Sequence, residues 1–148
     1  MLLSTKNIQF GIIVLYGVNM DPRQEKLEES FVLFEKAIDN YLEDTFSDEI
    51  TIHPMRMKRG KGANPIHDGV FSTTIIFSMG FGTKYGRGYI INISISTLDN
   101  VSSHLKERIE EATFDFASKH AEEYLPGRNV ECVRDAGLIK LIGNFSLS

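Results

Sequence analysis

The 148-residue sequence contains a single cysteine and no apolar run long enough to cross a membrane. Because a lone cysteine cannot form an internal disulfide, Cys132 excludes a disulfide-stapled fold and fits a reducing compartment. The apolar run at residues 10–18 is too short for a bilayer, and residues 19–22 are a poor signal-peptide cleavage site. We therefore predict a cytoplasmic protein without a membrane partner, and we interpret residues 8–16 as a buried strand.

The sequence also lacks a catalytic or cofactor-binding motif of high specificity. Residues 80–88 have the glycine content of a phosphate-binding loop, but the nucleotide-loop motifs lead into a helix, whereas this stretch leads into a strand. The adjacent His67 and Asp68 are the best acid–base candidates, yet neighbouring residues rarely orient each other, and a turn explains them better. We predict a protein that is not an enzyme and uses no cofactor.

Metal-ligand spacing is missing as well. His53, His104 and His120 are not placed one helical turn apart, and His120 fits the edge of a helix-packed core. Cys132 lies in a short segment of alternating polarity, where it is expected to be a small buried hydrophobe and not a nucleophile. We therefore predict no metal site.

The clearest pattern that is present predicts two long strands within residues 70–98. Apolar residues occupy alternate positions of each strand, starting from Phe71 and from Tyr89. Antiparallel pairing through residues 80–88 aligns the two apolar faces and leaves a sheet that needs a covering layer. Further strands are predicted at residues 49–57, 129–133 and 138–147, the last two joined by a turn at residues 134–137.

Two amphipathic helices are predicted at residues 22–45 and 102–124. Asp21 and Pro22 form a typical helix start, and Asp99 or Asn100 is expected to cap the second helix. Apolar residues recur at spacings of three and four in both helices.

The acidic residues of the first helix, including Glu35, Asp39 and Glu43, are expected on its solvated side. The order of elements predicts a single α+β domain over residues 1–148, with a mostly antiparallel sheet covered by the two helices.

Charge is divided unevenly along the chain. The net charge is −4, but residues 50–98 carry six cations and one acid, while the remainder carries ten cations and nineteen acids. Two loops hold the cations, and they would form one basic surface if they lay at the same end of the sheet. The predicted interface residues in these loops are Arg56, Lys58, Arg59, Lys61, Phe81, Lys84, Tyr85 and Arg87.

The order of elements and the turn at residues 134–137, leading into residues 138–145, resemble the tail-terminator and tail-completion proteins of tailed bacteriophages. The resemblance covers residues 21–148 and implies a non-enzymatic virion protein that forms a homo-oligomeric ring through its loops. The same order also resembles type III secretion chaperones, which are small acidic dimers that lack so basic a sheet segment.

These observations predict a structural or assembly protein in which basic loops dock onto acidic helices of a neighbouring copy, because such a division of charge acts mainly on association. Binding of single-stranded nucleic acid by the basic, aromatic loops is the second hypothesis. A chaperone-like dimer is the third.

Overall fold

The computed structural model describes residues 21–62 and 68–147. Its strands form one antiparallel sheet in the order β1-β2-β4-β3, and two helices accompany it, which confirms the predicted α+β class. The strand predicted at residues 8–16 lies outside the described residues. In chain order the elements are α1 (Pro22–Phe46), β1 (Phe71–Ser78), β2 (Gly88–Ile95), α2 (Ser103–Tyr124), β3 (Glu131–Asp135) and β4 (Leu138–Ile142).

Helix α1 begins where the sequence predicts. The Asp21 carboxylate accepts the amide N–H of Arg23 at 2.8 Å, and Pro22 stands in the first turn, where no main-chain donor is needed. The helix ends at Phe46 and runs into a short 3₁₀ turn, Ser47–Glu49. Its apolar stripe is buried at Leu27, Phe31, Phe34, Ile38, Leu42 and Phe46.

Three acidic side chains of α1 are buried as well. Glu35, Asp39 and Glu43 are only 1%, 5% and 6% exposed. The main-chain N–H of Ile75 donates to Glu35 Oε2 at 2.7 Å, and the Thr73 hydroxyl donates to Asp39 Oδ1 at 3.0 Å. The prediction of a solvated acidic side at these positions is wrong, because donors from β1 replace the water that a carboxylate requires.

Glu43 is the last residue of this row of buried carboxylates, which we call the acidic stripe (Glu35, Asp39 and Glu43), and it lies at the start of β1. Its carboxylate accepts the N–H groups of Val70 at 2.9 Å and of Phe71 at 3.2 Å. Among the described strands β1 lies at the edge of the sheet, and its outward N–H groups donate to side chains instead of to another described strand. The carboxylates of α1 therefore take the place of a further strand along this edge.

The two hairpins of the sheet follow the predicted alternation. β1 pairs with β2 over eight positions, from Phe71 opposite Ile95 to Ser78 opposite Gly88. β4 pairs with both β2 and β3. β3 and β4 are joined by a two-residue turn, Ala136 and Gly137, whose φ angles of 52° and 78° are those of a type I′ hairpin. The last two strands were thus predicted with shifted bounds.

Helix α2 is capped by Ser102, whose hydroxyl accepts the N–H of Leu105 at 3.1 Å. The prediction of Asp99 or Asn100 as the cap is wrong, since a hydroxyl directly before the helix satisfies the same donor. The fully buried positions of α2 lie four residues apart and carry mostly small side chains: Ile109, Thr113, Ala117 and Ala121.

The strand predicted at residues 49–57 is not formed. The carbonyl of His53 accepts the N–H of Arg56 at 3.0 Å and closes a turn that contains Pro54, which has no N–H to offer a ladder. The segment instead makes an isolated bridge between Met57 and Asp68, and the N–H of His53 donates to the Ser96 carbonyl at 2.9 Å. The segment crosses the sheet edge as a loop.

One apolar cluster joins the helices to the sheet. Stacked rings of Phe34 and Tyr124, with centroids 5.0 Å apart, connect the two helices, and Phe31 packs on Tyr89 of β2 at 4.3 Å. Within the described ranges, neither helix has an apolar stretch of the length that a bilayer requires.

The acidic stripe gives a direct test of the fold. Replacing Glu43 by alanine leaves two buried N–H groups and the neighbouring cation without their acceptor, so we expect the free energy of unfolding to fall by about 2–4 kcal/mol. Urea unfolding measures the change. The matched control is Asp44→Ala, which removes an exposed acid from the same helix and should change stability by no more than about 0.5 kcal/mol. Equal effects of the two replacements would contradict the assigned role of Glu43.

Candidate interaction surface

Four of the predicted interface residues, Phe81, Lys84, Tyr85 and Arg87, lie between β1 and β2 in the segment that we call the glycine-rich loop (residues 79–87). The loop folds back on itself at Gly80, whose carbonyl accepts the N–H of Thr83 at 3.0 Å. A Cβ atom added to Gly80 would lie 1.9 Å from the carbonyl oxygen of Gly86. Glycine is therefore required there for the loop to close.

A buried ion pair beneath the loop fixes its conformation. Lys140 of β4 and Asp135 of β3 are 1% and 4% exposed, and their charged atoms lie 2.7 Å apart. The Lys140 ammonium also donates to the Gly86 carbonyl at 2.7 Å. The Asp135 carboxylate accepts the N–H groups of Lys84 at 3.2 Å and of Tyr85 at 3.0 Å. The pair thus acts as a bridge between the loop and the β3–β4 hairpin.

The electrostatics of this bridge favour the charged state. The hydrogen bond from Lys140 holds the pKa of Asp135 below its ordinary value, although burial acts in the opposite direction. The carboxylate therefore stays ionised at neutral pH and continues to accept the N–H groups of Lys84 and Tyr85.

The outer side of the loop carries apolar and basic side chains. Phe81 is 86% exposed, and Lys84, Tyr85 and Arg87 are exposed beside it. The Lys84 ammonium lies 5.2 Å from the centre of the Tyr85 ring, which is within the range of a cation–π contact. The main chain of the loop is thus held by the Asp135–Lys140 pair, while its aromatic side chains are exposed to solvent.

The other predicted cations belong to what we call the basic segment (residues 56–61). Arg59 is engaged within its own chain, where its guanidinium bonds Asp39, Glu43 at 3.2 Å and Asp68 at 3.1 Å. Burial raises the pKa of Asp39, while hydrogen bonds from Arg59 and Thr73 oppose that shift. The ionised form of Asp39 consequently depends on Arg59.

Arg56 is engaged as well. Its guanidinium donates to the carbonyls of Gly69 at 2.8 Å and Phe71 at 3.1 Å and to the Ser72 hydroxyl at 2.8 Å. Lys58 and Lys61, by contrast, are exposed. Half of the cations in the basic segment therefore hold the start of β1 in place.

The two groups of predicted residues lie at opposite ends of β1. Arg56 contacts the first residues of the strand, whereas the glycine-rich loop follows its last residue, Ser78. Seven residue steps along a strand cover roughly 23 Å. The condition for one continuous basic surface is therefore not met, and the loops form two separate surfaces.

The predicted catalytic pair is described only at Asp68. His67 lies outside the described residues, and the Asp68 carboxylate accepts the N–H of Gly60 at 3.0 Å in addition to its bond with Arg59. His53 accepts the N–H of Met55 at 3.0 Å, and His120 bonds Glu123 at 2.8 Å.

His104 is exposed at the start of α2. Among the described residues, no three histidine, cysteine or acidic side chains are grouped as metal ligands. Burial raises the pKa of the Cys132 thiol from its ordinary 9.0 to about 11. A thiol with so high a pKa is a poor nucleophile at neutral pH.

The sequence did not predict two buried charge clusters, the acidic stripe of α1 and the Asp135–Lys140 pair. A carboxylate every fourth residue beside an apolar stripe was one available signal. The other was a lysine at position 140 between Ile139 and Leu141 in a short strand. Neither pattern distinguishes a buried charge from a solvated one without its partner.

Residues 22–143 match the model of a protein family described as "Uncharacterised protein". The chain belongs to this family. A relative from Borreliella burgdorferi, described as "Uncharacterized protein", is 37% identical over 108 residues, which cover 73% of this chain and 84% of the relative. No solved structure matches the chain. The family region runs from the start of α1 to the residue after β4 and so contains both buried charge clusters.

The Asp135–Lys140 bridge predicts a pH dependence of the loop. Because the pKa of Asp135 is lowered on folding, its contribution to stability is complete above the ordinary aspartate pKa and is lost as the pH falls through the lower, folded value. Amide chemical shifts of Lys84 and Tyr85 should therefore change with a midpoint below 3.8. The transition should be missing in Asp135→Asn. A midpoint at or above 3.8 would contradict the bridge.

Cys132 predicts slow thiol chemistry. A pKa raised from 9.0 to about 11 leaves about a hundredfold less thiolate near pH 8 than an ordinary thiol has. Reaction with a chromogenic disulfide reagent should be slower by at least that factor in native protein than in urea. A Cys132→Ala, Leu33→Cys variant, with its thiol at an exposed position, should react at the same rate in both states. Rapid reaction of native Cys132 would show that the thiol is accessible.

Proposed function

We propose that this protein is a non-enzymatic structural or assembly protein that associates with copies of itself through the glycine-rich loop. The observation that supports the proposal is an ordered loop, held by a buried ion pair, that presents Phe81 almost fully to solvent. Association benefits when a contact loop is already fixed in place, because little conformational freedom is then lost. A large aromatic side chain at the tip of such a loop is a typical anchor of a protein interface.

The surroundings of Phe81 favour protein contact. Met79 and Phe77, in and next to the loop, are 50% and 51% exposed. Together with Tyr85 they extend the apolar area around the anchor, and exposed aromatic and methionine side chains are enriched at interfaces. Lys84 and Arg87 form the polar rim of this area.

Acidic helix surfaces are the proposed counterpart of the loop. In this proposal α1 and α2 together cover one face of the sheet and turn their outer surfaces to the neighbour. Exposed acids of α2 include Glu107, Glu110 and Asp115. A contact of unlike surfaces is head-to-tail, and it yields a ring if the rotation closes. A phage neck or tail ring, which the order of elements predicted from the sequence resembles, is one such assembly.

The roles of the predicted cations differ in this proposal. Arg56 and Arg59 stabilise the chain that carries them. Lys58 and Lys61 remain exposed at the opposite end of β1 and would serve a second, weaker contact, because exposed ion pairs contribute little. The glycine-rich loop is therefore the principal site, with Phe81 as its central residue.

Light scattering coupled to gel filtration tests the proposal at low and high salt. We expect an oligomer at tens of micromolar and a shift toward monomer for Phe81→Ser. The matched control is Leu98→Ser, which removes another exposed apolar side chain, 71% exposed, far from the loop in sequence. Arg56 and Arg59 are left unchanged because their loss would disturb the fold.

The contribution of charge is measured separately with a double variant that carries Lys84→Ser and Arg87→Ser. The control for net charge is a second double variant, with the exposed residues Lys26→Ser and Lys36→Ser on α1. A monodisperse wild-type monomer under both salt conditions would remove the assembly proposal. Equal effects of Phe81→Ser and Leu98→Ser would exclude the loop as the contact.

One observation favours binding of single-stranded nucleic acid as a second candidate. Phe81 and Tyr85 are exposed next to Lys84 and Arg87, which is an arrangement that stacks bases and neutralises phosphates. Binding to a fluorescent oligonucleotide should then weaken steeply with salt, and Tyr85→Ala should weaken it further. A flat salt response, or no binding near physiological ionic strength, would remove this candidate.

A further inference from the structure

An open pocket lies between the second half of β2 and the first half of α2, and we call it the β2–α2 pocket. Its volume is about 520 Å³, which is within the roughly 300–1,000 Å³ of typical binding pockets. Apolar side chains of both elements line it, among them Ile93, Ile95 and Ile109. The pocket exists because β4 pairs with β2 only as far as Ile91, whereas β2 continues to Ile95.

The apolar row of β2 loses its cover at this pocket. Alternate residues of the strand belong to the core cluster, and Ile91 of that row is 5% exposed. The next two members, Ile93 and Ile95, are only half-buried, although their side chains point to the same face of the sheet. The pocket therefore offers an apolar floor to a side chain from another molecule.

Polar side chains surround the mouth of the pocket, and acids outnumber cations among them. The charged residues that line it are Asp99, Lys106 and Glu110, so two acids and one lysine give the rim a net charge of −1. All three are exposed, and no ion pair among the described residues involves any of them. An occupant that brings basic side chains is favoured at such a rim.

The glycine-rich loop has the complementary features. Phe81 is 86% exposed, and the exposed cations Lys84 and Arg87 follow it in the same loop. An aromatic ring is the kind of anchor that fills an apolar pocket at the centre of an interface, and flanking charges of opposite sign orient it there. The loop thus carries both properties that the pocket requires.

The loop and the pocket of one chain lie on opposite faces of the sheet. Lys140, whose ammonium bonds the loop at Gly86, directly follows Ile139, which lines the pocket. Consecutive side chains of a strand point to opposite faces. Phe81 is accordingly not among the residues that line the pocket of its own chain. A contact between loop and pocket must therefore join two copies, and it is head-to-tail because the two surfaces differ.

We infer that the β2–α2 pocket is the binding site for Phe81 of a neighbouring copy, with the cations of that loop placed at Asp99 and Glu110. This inference rests on the proposed self-association through the glycine-rich loop, and it names the surface that receives the loop. Burial of the ring against the exposed part of the β2 row supplies the apolar anchor. The acidic rim fixes the orientation of the loop.

Charge reversal at the rim tests the inference in the full-length protein. The pocket variant carries Asp99→Lys and Glu110→Lys, and light scattering at low salt should show an apparent dissociation constant raised about tenfold or more, because like charges then face each other. The matched control carries Glu107→Lys and Asp115→Lys. These acids are exposed on the same helix, do not line the pocket and change the net charge equally. The control should assemble as the wild type does.

A charge exchange separates loss of contact from loss of fold. Lys84→Glu and Arg87→Glu should weaken assembly when they are the only changes. Combined in one chain with the pocket variant, they should restore assembly, because opposite charges meet again at the rim. Changes in the loop cannot repair a misfolded pocket. A combined variant that remains as weak as either parent would overturn the inference.

Mixing two variants gives a further measurement. Phe81→Ser keeps the pocket intact, whereas the pocket variant keeps the loop intact. At a concentration where neither assembles alone, an equal mixture should give a dimer and no larger species, since each pair of chains retains one intact loop and one intact pocket. A mixture that stays monomeric would overturn the inference.

These outcomes distinguish the inference from the proposed function. A wild-type monomer would remove both. If Phe81→Ser weakens assembly while the pocket variant and its control behave alike, self-association through the loop stands, and the β2–α2 pocket is excluded as the site that receives it.

Discussion

The hydrogen bonds between the buried carboxylates of α1 and the edge of β1 are the constraint on which the rest of the structure depends. Glu35, Asp39 and Glu43 follow one another at about 6 Å along the helix, and alternate residues of a strand follow one another at about 6.6 Å. Because the two repeats nearly match, one helix can meet donors at Ile75, Thr73 and the start of β1 in succession. The pairing fixes the direction and the register of α1 on the sheet.

Buried carboxylates are stabilised by a nearby positive charge, and Arg59 of the basic segment supplies it. Arg59 bonds Asp39, Glu43 and Asp68, so the loop that follows α1 is drawn back over the helix from which it came. The Asp135–Lys140 pair does the same for the glycine-rich loop at the other end of β1. Buried ion pairs often contribute little net stability. Here their effect is to select one conformation for each loop.

Both helices and the two hairpins were predictable from sequence because their signals are local. Periodic apolar residues and a turn at Ala136–Gly137 depend on neighbours in the chain. The burial of Glu43 was not predictable in this way, because it depends on donors of β1 that are far away in sequence. The turn that replaces the strand around Pro54 is local, and the proline, which has no N–H for a ladder, was its signal. Among the predicted interface residues, Phe81 is exposed, as the interface hypothesis requires. Arg59 instead forms ion pairs within its own chain, and its charge alone does not distinguish this role from a contact with a partner.

The division of charge along the chain therefore carries less information about partners than the sequence suggests. Part of the positive charge of residues 50–98 is matched by acids of α1 within the same molecule, as Arg59 shows. Any association through the glycine-rich loop must then rest chiefly on apolar contact at Phe81, with Lys84 and Arg87 steering the approach. An interface of that kind weakens only modestly as salt rises, since screening acts on the charged rim and leaves the buried aromatic anchor unaffected.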